Sequence, residues 1–209
     1  MAGSSANFIT LARLPLMIVV LVLLYSTSPW LLGLATVLLV VLFLMDWFDG
    51  YWARYKNQVT DLGSVLDIAL DRVVENCLWV VFAHQHKVGV WVAVVFLVRS
   101  FVIDALRSFA LAKGKSAFGM MQSPLGKFLV AGRFMRGTYG LIKCSAFVAL
   151  ALEATLRAGA GGGLPVGWQW IAPLSQWLVL GAVGLCLARG LPVIYDIRWL
   201  LREPNVEQG

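Results

Sequence analysis

A chain of 209 residues that is 60% hydrophobic and only 13% charged, with a mean hydropathy of +0.80, is excluded from the ordinary soluble class, where about 25% of residues are charged. Its net charge of +6 reads as membrane topology and attraction to anionic lipid. No basic run alternates with aromatics in a soluble segment, so nucleic acid is excluded as a partner.

In chain order, residues 1–6 lack the basic n-region of a cleavable signal. Residues 3–8 are small and polar and predict a short interfacial segment leading into a first span over 14–25. Ser26 to Pro29 make a turn, and a second span covers 30–54, with Trp47, Tyr51 and Trp52 at headgroup level. A polar loop leads to a third span over 63–83. His84, Gln85, His86 and Lys87 form a turn on the other side, and both histidines read as solvated loop residues.

The fourth span, 88–112, carries Arg99, Asp104 and Arg107. Asp104 and Arg107 are spaced for an intrahelical ion pair. Two arginines on one membrane helix nevertheless predict a polar cavity and an anionic ligand. A basic loop with Lys113 and Lys115 precedes a fifth span over 127–156, which bears Lys127, Arg133, Arg136 and Lys143. Residues 157–167 read as a flexible external loop, 168–187 as the last span, and Arg189, Arg198 and Arg202 as a basic tail. Cys77, Cys144 and Cys186 lie in apolar runs and read as small buried hydrophobes without a disulfide framework.

The expected fold is therefore all-α: a single membrane domain over 1–209, built as a bundle of six transmembrane helices. The positive-inside rule puts both termini and the basic loops in the cytoplasm, hence a multi-pass protein of the cytoplasmic (inner) membrane. No internal repeat or inverted pair of broken helices suggests a transporter.

Five of the 11 acidic residues fall from Asp46 to Asp71, and four of them, Asp46, Asp49, Asp67 and Asp71, lie where two apolar segments meet a short polar loop. An ionised carboxylate at membrane depth costs several kcal/mol unless it is compensated. At about 100° per residue, Asp46 and Asp49 share one helix face, and Asp67 and Asp71 share a face of the next helix. Two antiparallel helices can thus aim four carboxylates at one point. An all-oxygen, hard donor set suits two ions of Mg²⁺ or Mn²⁺ and argues against Zn²⁺ or copper. Gly50 and Gly63 leave room for close approach beside the two pairs. The competing reading is a structural acidic cluster neutralised by Arg54, Lys56 and Arg72.

The run D-x2-D-G-x2-A-R-x8-G-x3-D-x3-D, at Asp46, Asp49, Gly50, Ala53, Arg54, Gly63, Asp67 and Asp71, resembles the signature of the CDP-alcohol phosphotransferases (CDP-alcohol phosphatidyltransferases). All eight positions are filled, a coincidence with chance odds on the order of 10⁻⁸. The resemblance implies Asp46, Asp49 and Asp67 as metal ligands and Asp71 as general base that also touches a metal. It implies Gly50, Ala53 and Arg54 at the nucleotide. Asp61 and Glu75 fall outside the signature and read as loop and helix residues.

Asn7, Thr10 and Arg13 resemble the N-terminal segment of the phosphatidylglycerophosphate synthase branch, which adds Asn7 and Thr10 to the nucleotide site. Arg13 also reads simply as an arginine at the lipid headgroups. The implied reaction transfers a phosphatidyl group from CDP-diacylglycerol to an alcohol, with CMP leaving. Arg99, Arg107, Lys127, Arg133 and Arg136 are the candidate acceptor-binding residues, and so much positive charge predicts a phosphorylated acceptor, foremost glycerol 3-phosphate. Leu106-Arg107, Gly114 and Gly126-Lys127 resemble elements of that branch, although Phe128-Leu129 depart from its pattern. Asp71-Arg72 is similar to the members that use inositol phosphate, so this or another alcohol is the alternative acceptor. Homodimers are common in the family, within a lipid membrane. A cation channel or carrier is the alternative of another class, and its acidic residues would lie near the midplane of several spans.

Overall fold

The computed structural model describes residues 4–55, 61–112, 123 and 126–202. Every regular element among them is helical: α1 (Ser4–Leu24), α2 (Pro29–Tyr55), α3 (Asp61–His84), α4 (Val90–Ala112), a five-residue π-helical turn (Lys127–Ala131), α5 (Arg133–Gly159) and α6 (Ile171–Arg202). Proline opens α2, where its missing N–H costs nothing and its fixed φ suits the first turn. At the other end of the next helix, His86 adopts φ 56° and the Lys87 N–H turns back onto the Phe82 carbonyl at 2.9 Å, closing α3.

Among the described residues, three segments are long and apolar enough to cross a membrane: Pro29–Phe48, Phe134–Gly159 and Ile171–Asp196. The helices α3 and α4 have the length, at 24 and 23 residues, but each is interrupted by charge. In α4 the interruption is Arg99, Asp104 and Arg107; in α3 it includes Asp71, Arg72 and Glu75. Ile18, Val22, Val37, Phe101, Leu141 and Leu191 are all exposed, an outward apolar surface that suits lipid and not water.

Contacts divide the chain into two compact units, Met1–Val90 with Cys144–Trp177, and Trp91–Lys143 with Leu178–Gly209. In the first, α1 packs on both α2 and α3. Its core is aromatic: Phe147 lies 4.4 Å from Trp79 between ring centroids and stacks with Phe43 and Phe82. Thr36 and Thr155 meet through their hydroxyls at 3.2 Å. Far from the aspartates, about 26 Å along α2 at 1.5 Å per residue, polar bonds tie this unit's other end. There the Tyr25 hydroxyl meets His84 Nδ1 at 3.1 Å, and Gln85 donates to the Leu24 carbonyl. Buried Glu153 accepts from both Arg157 and Ser175.

In the second unit Ile103, Ala110, Val130 and Val193 form a buried cluster with Leu106 packed against it. Asp196 accepts from the hydroxyl of Ser123, which in turn accepts from the Gly126 N–H.

Several sequence expectations shift. Residues 4–8 are not a separate lead-in, because α1 runs unbroken from Ser4 through Pro15. Residues 157–159 complete α5. The last helix continues to Arg202, so Arg189 and Arg198 are helical and not a tail. The apolar run Leu191, Pro192, Val193, Ile194 and Tyr195 carries it onward. His84 is the last residue of α3 and is bonded to Tyr25, not simply solvated. Most of the basic loop, with Lys113 and Lys115, lies outside the described residues.

Candidate active site

Asp46 belongs to the last third of α2 and Asp71 to the middle of α3. What joins them comes from α1. Arg13 Nη1 lies 2.7 Å from Asp46 Oδ1, and Arg13 Nη2 donates to Asp71 Oδ1 at 2.9 Å. The guanidinium is 2% exposed, whereas the two carboxylate side chains are 38% and 43% exposed. The cation is therefore the buried floor and the carboxylates are the accessible rim. Among the described residues Asp71 is bonded only through Oδ1.

Arg13 is a counter-charge to both Asp46 and Asp71, while Arg72 reaches buried Glu75 at 3.2 Å along its own helix; Lys56 and the side chain of Arg54 lie outside the described residues. Arg13 does not snorkel to headgroups; its charged end is sealed between helices. The reason is geometric. Since α1 touches both α2 and α3, a guanidinium fork on α1 can reach one carboxylate on each.

Asp49, Gly50, Ala53 and Arg54 lie on α2 and Asp67 on α3, as the spacing requires, and Asn7 and Thr10 lie on α1. Their side chains fall outside those described, as does that of Arg133. Among the described residues no three carboxylate, histidine or cysteine side chains meet at metal-binding distance. The described part of the donor set still fits a hard divalent ion, because it is all carboxylate oxygen.

The second unit holds the other candidates. Arg107 approaches Asp104 at 3.9 Å within α4. Lys127 and Arg136 are exposed, on the π-helical turn and α5 respectively. Arg99 is buried, and its guanidinium carbon lies 5.8 Å from the centroid of the Tyr139 ring. Arg189 lies 5.4 Å and Lys143 Nζ 5.2 Å from the same ring. Three cations thus share one aromatic face system, a favourable setting for each singly but a mutually repulsive one together. Among the described residues, Nε and Nη1 of Arg99 have no hydrogen-bond partner. Gly190 of α6 lies against α4 here, and a Cβ on it would meet Arg99 Cγ at 3.4 Å, an ordinary van der Waals contact.

Of the sequence candidates, the structure therefore brings Asp46 and Asp71 together. Around the Tyr139 ring it also brings Lys143 and Arg189 to Arg99. The sequence does not show Arg13 as the partner of Asp46 and Asp71, nor Lys143, Tyr139 and Arg189 as neighbours of Arg99. A signal existed for Arg13 in its spacing from Asn7 and Thr10; for Arg189 the only signal was a charge within an apolar run.

Comparison with known proteins agrees with the motif. The family described as CDP-alcohol phosphatidyltransferase matches residues 4–188. A Rickettsia bellii protein named CDP-diacylglycerol–glycerol-3-phosphate 3-phosphatidyltransferase is 33% identical over 108 residues, covering 51% of this chain and 60% of that protein. Proteins of the same name from Bacillus subtilis and Salmonella choleraesuis are 26% identical over 123 residues and 31% over 112. Each of these two matches covers 52% of this chain, and they cover 63% and 61% of the relatives. The matched region thus spans less than two thirds of the relatives' own length.

Proposed function

The chain belongs to the CDP-alcohol phosphatidyltransferase family, and from that premise we propose that it transfers a phosphatidyl group from CDP-diacylglycerol to glycerol 3-phosphate. The products are phosphatidylglycerophosphate and CMP. The observation that carries this reading is the convergence of Asp46 and Asp71 from two helices on one buried guanidinium.

In this reading Asp46, Asp49, Asp67 and Asp71 hold two divalent ions, Mg²⁺ or Mn²⁺. When bound, such ions neutralise a pyrophosphate and stabilise the entering and leaving oxygens of an in-line displacement. Gly50, Ala53 and Arg54, with Asn7 and Thr10, take the cytidine nucleotide. Asp71 accepts the proton of the acceptor hydroxyl as its oxygen bonds to the phosphatidyl phosphorus. The bond from that phosphorus to the bridging oxygen breaks, and CMP leaves with the electron pair. An Oδ2 without a partner among the described residues and the 43% exposure of Asp71 suit that role.

A phosphorylated acceptor is supported by the second unit. Arg99 is buried, with Nε and Nη1 lacking a hydrogen-bond partner among the described residues, beside the cations of Lys143 and Arg189. A buried charge of this kind needs an anion. Arg107, Lys127, Arg133 and Arg136 are assigned to the same acceptor. The names of the relatives also favour glycerol 3-phosphate. The three clear spans extend to six when α1, α3 and α4, whose charges are functional, are counted as crossing. Both termini then face the cytoplasm, and a homodimer is in keeping with the family.

The test is CMP release from CDP-diacylglycerol by the purified chain with Mg²⁺ or Mn²⁺, each acceptor being supplied in turn. Release with glycerol 3-phosphate alone supports the assignment. Release only with inositol phosphate or another alcohol overturns the acceptor, and no release with any overturns the activity.

A further inference from the structure

We infer that Arg13 is a positioning residue for the divalent ions, holding the carboxylates of Asp46 and Asp71 in the orientation in which they bind metal. The inference rests on the metal reading of the aspartates proposed above and assigns a role to a residue outside the D-x2-D motif.

The argument begins with what an aspartate on a helix can do. Its carboxylate turns about two dihedrals, so two aspartates on separate helices have no common orientation unless something imposes one. Arg13 imposes it. A guanidinium is a rigid plane with its donors in a fixed fork, and here one Nη goes to each carboxylate, at 2.7 and 2.9 Å. Both contacts take Oδ1, and Oδ2 of Asp71 is left without a partner among the described residues. The fork is itself held, because Arg13 is 2% exposed on a helix packed against α2 and α3.

A plain counter-ion would act differently. A positive charge within 3 Å of two metal-binding carboxylates repels an incoming cation, so on charge alone its removal should tighten metal binding. Positioning predicts the opposite sign, since loosening an outer support commonly costs 10–100-fold in metal affinity. The two roles are therefore distinguished by direction, not by size. Lysine keeps the charge but is a point donor without the planar fork, so it should restore only part of the effect.

The experiment is titration of the full chain in detergent with Mn²⁺, without nucleotide, reading free Mn²⁺ by electron paramagnetic resonance. Wild type, Arg13→Gln and Arg13→Lys are compared, with cooperative thermal unfolding by circular dichroism confirming each fold. Positioning predicts affinity lowered about 10–100-fold in Arg13→Gln, and an intermediate loss in Arg13→Lys. Unchanged or tighter binding in Arg13→Gln overturns it and leaves Arg13 a counter-ion. Should Arg13→Gln fail to fold, Arg13→Lys decides: weaker binding upholds positioning, and wild-type or tighter binding overturns it. Absence of Mn²⁺ binding by the wild type would instead sink the metal reading itself, and the inference with it.

Discussion

The guanidinium of Arg189, on α6, donates to the backbone carbonyl of Leu129 at 2.8 Å, in the middle of the π-helical turn. A second, longer contact reaches the Val130 carbonyl at 3.5 Å. Wider i→i+5 bonding and the break at Gly132 leave a π turn needing outside donors for its carbonyls. One buried arginine thus does two things: it satisfies the turn and brings its charge beside Tyr139 and Arg99.

Replacement of Arg189 by methionine should therefore be felt twice. Stability should fall by about 2–3 kcal/mol, since a charge-assisted hydrogen bond to a buried carbonyl is lost. The KM for glycerol 3-phosphate should rise more than that for CDP-diacylglycerol. Detergent-denaturant unfolding and initial-rate kinetics check the two halves separately. Equal rises in both KM values would count against an acceptor phosphate near Arg99.

Asp71→Asn removes a proton acceptor with little change in volume. Turnover should drop by about 100-fold or more, while CDP-diacylglycerol binding is largely kept. Equilibrium binding of the donor alongside CMP release measures this, and full activity in the variant would remove Asp71 from the base role.

Gly132 joins the π turn to α5 at φ −57° and ψ 128°, angles open to any residue. Space is the constraint, because a Cβ there would collide with the Phe128 carbonyl oxygen. Gly132→Ala should destabilise by about 1–3 kcal/mol through the backbone shift it forces. A thermal midpoint equal to wild type would show that the turn yields freely.

Ser175 is fully buried and donates to Glu153 Oε2 at 2.7 Å. Ser175→Ala would leave that carboxylate oxygen unsatisfied, for about 1–3 kcal/mol. Since the bond lies at the end of the first unit away from Asp46 and Asp71, CMP release well below the melting temperature should be unchanged. Loss of activity without loss of stability would contradict that placement.

Much of this molecule was legible before any coordinates. Apolar runs broken by turn residues marked α2, α3 and α4 within about two residues of their observed bounds, since hydropathy is a local property of the chain, whereas α1 begins well before and α6 ends well after the apolar run that marked it. The Asp46 to Asp71 run announced its chemistry for the same reason: helical spacing alone puts each aspartate pair on one face. Even the Asp104–Arg107 pair follows from a separation of three.

Arg13 and Arg189 were not legible, and the physical cause is shared. Each lies in or beside an apolar helix near a polar boundary, where snorkelling to headgroups is the default for an arginine. The partner of Arg13 is 58 residues away at Asp71, and that of Arg189 is 60 away at Leu129. No periodicity connects such separations. Local sequence thus determined the helices, the membrane character and the carboxylates proposed to carry the chemistry, because these depend on neighbours three or four residues apart. Only tertiary packing decided which cation sits beneath those carboxylates and which arginine turns inward, because both depend on which helices touch.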